Sequence, residues 1–197
     1  MDKQQAAADI IAHALPDIPF DGWNQQVLQQ AALSAGYKKT DVIRVFPGGA
    51  VEAAEFFLRH YDVAMTQALE GYYLDTLKIR ERIATAVRIR LELMEPRREA
   101  VRKATALLAL PFYTHRSLKL LYETVDAIWY ACGDSSTDFN FYTKRLTLAG
   151  VYAATLLFWL DDKSPGCTCT WAFLDRRIND VMTIEKVKQR FRKKFSG

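Results

Sequence analysis

The sequence predicts an all-α protein, and three observations carry that expectation. Apolar residues recur at spacings of three and four along most of the chain, while alternating β-branched runs are nearly absent. Proline and glycine fall where the periodic segments stop: Pro16 and Pro19, Gly36, Pro47-Gly48-Gly49, Pro96, Pro111, Gly133 and Pro165-Gly166. The fifteen uncharged residues from Leu146 to Leu160 end sharply at Asp161 and Asp162. That run falls short of the roughly 20 apolar residues of a membrane span, so it reads as a buried helix.

Taken in order, the punctuation places helices over 3–15, 24–35, 40–46, 50–70, 75–94, 97–110, 115–131, 138–161, 169–181 and 184–195. The second and third resemble a helix-turn-helix, joined by Ser-Ala-Gly, with Val27, Leu28, Ala31, Ala32, Val42, Ile43 and Phe46 facing inward. The middle of the chain supplies apolar partners such as Leu107, Leu108, Leu120, Leu121, Ile128 and Trp129 for the eighth helix, which offers Leu148, Tyr152, Leu156, Leu157 and Trp159. Between Thr147 and Thr155 that helix is built mostly of small residues, which allow either close helix packing or room for a ligand. No repeat, low-complexity segment or linker divides the longer helices.

Composition bounds the function. Half of the 197 residues are hydrophobic and a quarter charged, enough for one sizeable core. Three cysteines, Cys132, Cys167 and Cys169, are an odd number in a chain too long to need staples, and read as unbridged thiols of a reducing compartment. The amino-terminal segment has neither the order of a secretory signal nor the character of a transit peptide, so nothing in it directs export. The net charge of +4 is unevenly spread: the last fourteen residues carry +5 and everything before them −1.

That distribution weighs against nucleic acid. Residues 1–58 hold seven acids and four bases, an unfavourable balance for a face that must meet phosphates, so the helix-turn-helix reads as a structural cap. Metal chemistry and catalysis have no constellation to rest on: His13, His60 and His115 are scattered, Cys167-x-Cys169 has too few companions for a zinc site, and no phosphate loop or nucleophile elbow occurs. Asp161 and Asp162 point about a hundred degrees apart on a helix and read as its end rather than as a catalytic pair. No enzyme and no cofactor is expected. The tail is a different matter. Ile184, Val187, Phe191 and Phe195 make one apolar stripe, and Lys188, Arg190 and Lys194 belong to the six cations around it, a pattern suited to a lipid interface.

The block "GDSSTDFNFYTKRLTLAGVYAATLLFWLDDKSPGCTCTWAFLDRRINDVM" resembles the signature segment of the ninth Coq protein family, lipid-binding accessory proteins of ubiquinone (coenzyme Q) biosynthesis. The likeness extends back through "DGWNQQVLQQAALSAG" and "VFPGGAVEAAEFF". It implies a TetR-like helical bundle: degenerate helix-turn-helix over 1–50, lipid-binding and dimerisation domain over 51–182, and amphipathic membrane helix over 183–197. It implies a phospholipid or isoprenoid quinone held near Leu148, Tyr152, Leu156 and Trp159, and a homodimer seam along the eighth and ninth helices. It also implies docking to a di-iron quinone hydroxylase through Asp126, Ile128, Asp138, Phe141 and Tyr142. Phe141 stands where relatives carry tryptophan and Ile128 where methionine occurs; both keep an apolar anchor, but the indole donor is lost. The short basic tail, with the absence of a transit peptide, suggests a bacterial member at the inner face of the cytoplasmic membrane. The competing expectation is a TetR-like transcription regulator with a lipid effector.

Overall fold

The computed structural model describes the backbone of residues 2–134 and 139–195 and the side chains of residues 2–134 and 142–181. Among them every regular element is helical: α1 (Lys3–Ala14), α2 (Ile18–Asp21), α3 (Gln25–Ser34), α4 (Asp41–Val45), α5 (Ala50–Leu69), α6 (Ile79–Met94), α7 (Arg98–Leu108), α8 (Thr114–Ala131), α9 (Phe139–Asp161) and α10 (Thr168–Phe195), with short 3₁₀ turns between several of them. The chain forms two compact units. Unit 1 comprises residues 1–65 and 92–120, and unit 2 residues 66–91 and 121–197.

Unit 1 is built on α1, α3 and α4, whose Ile10, Leu28 and Val42 are fully buried. Their ends are fixed locally. Asp2 accepts from the Gln4 amide at 3.0 Å to start α1, and Asn24 Oδ1 accepts from the Val27 amide at 2.9 Å to start α3. Gly36, at φ +82°, ends α3 in a Schellman turn: its own amide reaches Leu33 O and the Tyr37 amide reaches Ala32 O. Trp23 packs its ring, tilted at 46°, with its centroid 5.2 Å from that of Phe57, and donates from its indole nitrogen to Ala100 O at 3.0 Å, which ties the start of α3 to α7.

An ion cluster closes this unit. Glu55 on α5 accepts two bonds from Arg116 on α8, at 2.6 and 2.9 Å, and one from Arg59 at 3.4 Å. Burial alone would raise the Glu55 carboxyl, but the hydrogen bonds and charges of Arg116 and Arg59 outweigh it and hold the group below its ordinary value.

Two elements differ from the sequence expectation. Residues 18–21 are helical although Pro16 and Pro19 read as breakers, because Pro19 sits in the first turn, where a missing amide hydrogen costs nothing. The expected ninth and tenth helices are one, α10, since no glycine or proline interrupts the chain between Thr168 and Phe195.

Candidate functional site: an apolar cavity in unit 2

Unit 2 holds α9 against α10, with Phe158 and Phe173 stacked at 4.6 Å. On the inner side of α9, Tyr152 and Trp159 are buried, and the Tyr152 hydroxyl accepts from the buried guanidinium of Arg90, which also lies over its ring. The turn from α9 into α10 is built for capping. Asp162 accepts from the Thr170 amide at 2.9 Å and the Thr170 hydroxyl at 2.6 Å, while Ser164 Oγ accepts from the Cys169 amide at 3.0 Å. A carboxylate therefore meets the positive end of α10, in addition to standing where α9 ends, at Asp161, as expected of this pair. Gly166 and Cys167 both adopt positive φ in this turn, at 60° and 55°.

Between α6, α8, α9 and α10 lies a cavity of about 440 Å³, inside the roughly 300–1,000 Å³ range of small-molecule pockets. Its apolar walls are Ile79 and Ile83 from α6, Leu148 and Val151 from α9, and Ile178 and Val181 from α10. Its polar side comes from the end of α8 and the first turns of α9: Trp129, Gly133, Asp134, Thr143, Lys144 and Thr147, with Arg80 across from them on α6. Gly133, at φ +83°, produces this corner. Its Schellman turn ends α8 by returning the Asp134 amide to Trp129 O at 3.0 Å.

Charge at the polar end is paired internally. Asp134 receives Lys144 at 2.8 Å and Arg145 at 3.3 Å, and Arg145 also donates to Asp126 at 2.5 Å. The Lys144 ammonium lies 5.4 Å from the centre of the Trp129 ring. The indole nitrogen of Trp129 is itself buried and has no hydrogen-bond partner among the described residues. Cys132, just past the end of α8, is buried, which pushes its thiol up to about 12, with the Arg82 charge only partly opposing. Among the described residues no group of three His, Cys, Asp or Glu side chains is placed to hold a metal, and no helix is long and apolar enough to cross a membrane.

Of the four residues expected to meet lipid, Leu148 lines the cavity; Tyr152 and Trp159 are buried in the core and Leu156 is half-buried. Among the docking residues, Tyr142 is 67% exposed, Asp126 is half-exposed and tied to Arg145, and Ile128 is 0% exposed, facing the core. Asp138 lies outside the described residues, as does the side chain of Phe141. The backbone of Ile184, Val187, Lys188, Arg190, Phe191, Lys194 and Phe195 continues α10, and their side chains also lie outside the described set. The sequence reading missed Ile79, Ile83, Ile178 and Val181, whose three- and four-residue spacing reads as ordinary core, and it placed Trp129 there too.

Comparison with known proteins follows the same lines. A family model described as COQ9 matches residues 114–185. The chain is similar to the rat protein "Ubiquinone biosynthesis protein COQ9, mitochondrial", at 33% identity over 92% of this chain and 60% of that one. The human protein of the same name is 32% identical over 92% of this chain and 59% of its own length. COQ9-A of Xenopus laevis is 34% identical, covering 95% of this chain and 61% of its own. The chain thus spans about 60% of the length of these curated relatives. Among solved structures, a TetR transcriptional regulator from Nitrosomonas europaea matches with a TM-score of 0.70 at 19% identity, over 88% of this chain and 95% of that one. At that identity the likeness is one of fold, and the fold is TetR-like.

Proposed function

The chain belongs to the COQ9 family of ubiquinone biosynthesis proteins, and from that premise we propose that it is a non-catalytic lipid-binding accessory protein of the pathway. In this reading the unit 2 cavity takes the apolar part of a phospholipid or isoprenoid quinone, with Leu148 in the wall and Tyr152, Leu156 and Trp159 on the same helix. The basic end of α10 rests on the membrane surface, and the protein presents quinone intermediates to a di-iron hydroxylase. The surface of α9 offers Tyr142 at 67% and Leu146 at 78% exposure, apolar area suited to that partner or to a second copy of the chain. Asp126, Asp138 and Phe141 complete the docking patch, with Ile128 supporting it from the core.

The observation that carries the proposal is the cavity, apolar on three helices and polar at one end. The test is native mass spectrometry of gently purified protein followed by organic extraction. Release of a near-stoichiometric phospholipid or isoprenoid quinone supports a lipid carrier; a protein that is folded and consistently empty counts against it. The membrane contact is tested separately by removing residues 184–197, which should reduce binding to anionic liposomes by more than about 100-fold, since each cation near such a surface contributes on the order of 1 kcal/mol. Binding unchanged by the deletion would end that part of the reading.

A further inference from the structure

We propose that Asp126 couples the docking face of unit 2 to its cavity: a cation set against this carboxylate from outside shifts the cavity toward guests with a negative head. The inference rests on the reading of the cavity as a lipid site and of Asp126 as part of a docking patch, and adds a route between the two. Arg145 provides that route. Its side chain is 4% exposed and lies between two carboxylates, donating to Asp126 at 2.5 Å and to Asp134 at 3.3 Å. The two carboxylates stand in different places. Asp126 is 44% exposed and does not line the cavity, whereas Asp134 is 6% exposed, forms part of the cavity wall, and also receives Lys144, another wall residue, at 2.8 Å.

These four charges cancel, Asp126 and Asp134 against Lys144 and Arg145. A buried arginine depends on its carboxylates, because its charge has left water, and attraction between close charges is strong where solvent is excluded. A cation brought against Asp126 offsets one of the two negative charges that Arg145 meets. The polar end of the cavity is then left with one positive charge in excess, and Arg145 draws harder on Asp134, in competition with Lys144. Asp126 needs no contact with the guest, since the field and the buried guanidinium carry the effect. Asp75 supplies the contrast within unit 2: it also faces an arginine, Arg82 at 3.6 Å, but its side chain is fully exposed and water screens it.

The experiment uses the full chain carrying Cys169→Ser, so that its remaining thiols, Cys132 and Cys167, are buried. Asp126→Cys is added, and the new thiol is labelled with trimethylammonioethyl methanethiosulfonate, which leaves a cation, or with sulfonatoethyl methanethiosulfonate, which leaves an anion on an arm of similar length. Displacement of Nile red then gives apparent affinities for dodecanoate, dodecanol and dodecylammonium, which share one chain and differ in the charge of the head. The preference for dodecanoate over dodecanol should be roughly tenfold greater in the cationic adduct than in the anionic one, and the preference for dodecylammonium lower by a similar factor. Any loss of packing at the labelled position is common to both adducts, so it cannot produce this contrast. The same two labels on Asp75→Cys should change the preferences by less than about twofold. Where labelling disturbs the fold, Asp126→Asn against Asp126→Glu carries the same comparison, with an expected shift of about threefold for a single charge. Preferences that are the same in the paired variants, or that move as much at Asp75 as at Asp126, overturn the coupling and leave the lipid reading standing. Failure of the native chain to bind any of the three amphiphiles overturns the lipid reading of the cavity, and this inference with it.

Discussion

Two tryptophans at nearly equal depth, Trp23 in unit 1 at 7% exposure and Trp129 in unit 2 at 8%, separate the two halves of the molecule. Trp23 has its indole hydrogen on Ala100 O and its ring against Phe57. Among the described residues Trp129 has no acceptor, and it borders a cavity of about 440 Å³. Unit 1 satisfies Trp23 from its own backbone, as unit 2 does Trp171, which donates to Gly166 O at 2.8 Å, whereas Trp129 finds no acceptor among the described residues. The lesson is that apolar content alone does not distinguish a core from a binding site. Pairing of the polar atoms around it does.

The largest effect that would sharpen this contrast lies in unit 1. Glu55 is buried and answers two arginines, so Glu55→Ala leaves Arg116 and Arg59 without their carboxylate. Because both arginines are partly exposed, the expected loss is at the lower end of a broken buried pair, about 3 kcal/mol in urea unfolding of the full chain. A loss under about 1 kcal/mol would mean that the cluster contributes little to closing unit 1.

The tryptophans themselves give the next test. Trp23→Phe removes a hydrogen bond and opens a void in a filled core, and should cost about 2 kcal/mol. Trp129→Phe removes an unpaired donor beside an existing cavity and should cost less than half of that. Equal losses, read from urea midpoints, would break the comparison.

Much of the fold could be read from the chain, for identifiable reasons. The 3.6-residue rhythm and the Gly and Pro stops place α3, α4, α5, α7, α8 and α9 within a few residues, because those signals act locally. The same habit misread Pro19 as a stop where it serves as a start, and divided α10 where nothing breaks it. The COQ9 resemblance was carried by one long specific block and stands confirmed by the family match over residues 114–185. The site was less legible. Tyr152 reads as a ligand contact on a helix with small residues, but its hydroxyl is taken by Arg90, 62 positions away, a pairing that no local pattern announces. The cavity walls come from four helices, and each alone shows only a normal apolar face.

The smallest effect concerns how unit 2 holds α10, the helix that supplies Ile178 and Val181 to the cavity. Burial pushes the Asp162 carboxyl upward, but hydrogen bonds from Thr170 and Ser164 outweigh it and bring the group from 3.8 down to about 2. A carboxylate whose folded value is depressed stabilises the fold above its unfolded value and loses that contribution as pH falls through the folded one. The gap between the native chain and Asp162→Ala should therefore be full at pH 7, still substantial near pH 4, and closing as pH approaches 2. Asp162 is only half-buried, so solvent partly screens its charge, and the size expected at pH 7 is that of an ordinary cap, about 1 kcal/mol. Urea midpoints across this range measure it. A gap that stays constant down to pH 2 would show that Asp162 acts through shape rather than charge, and that the start of α10 is held by Ser164 and the buried Thr170 instead.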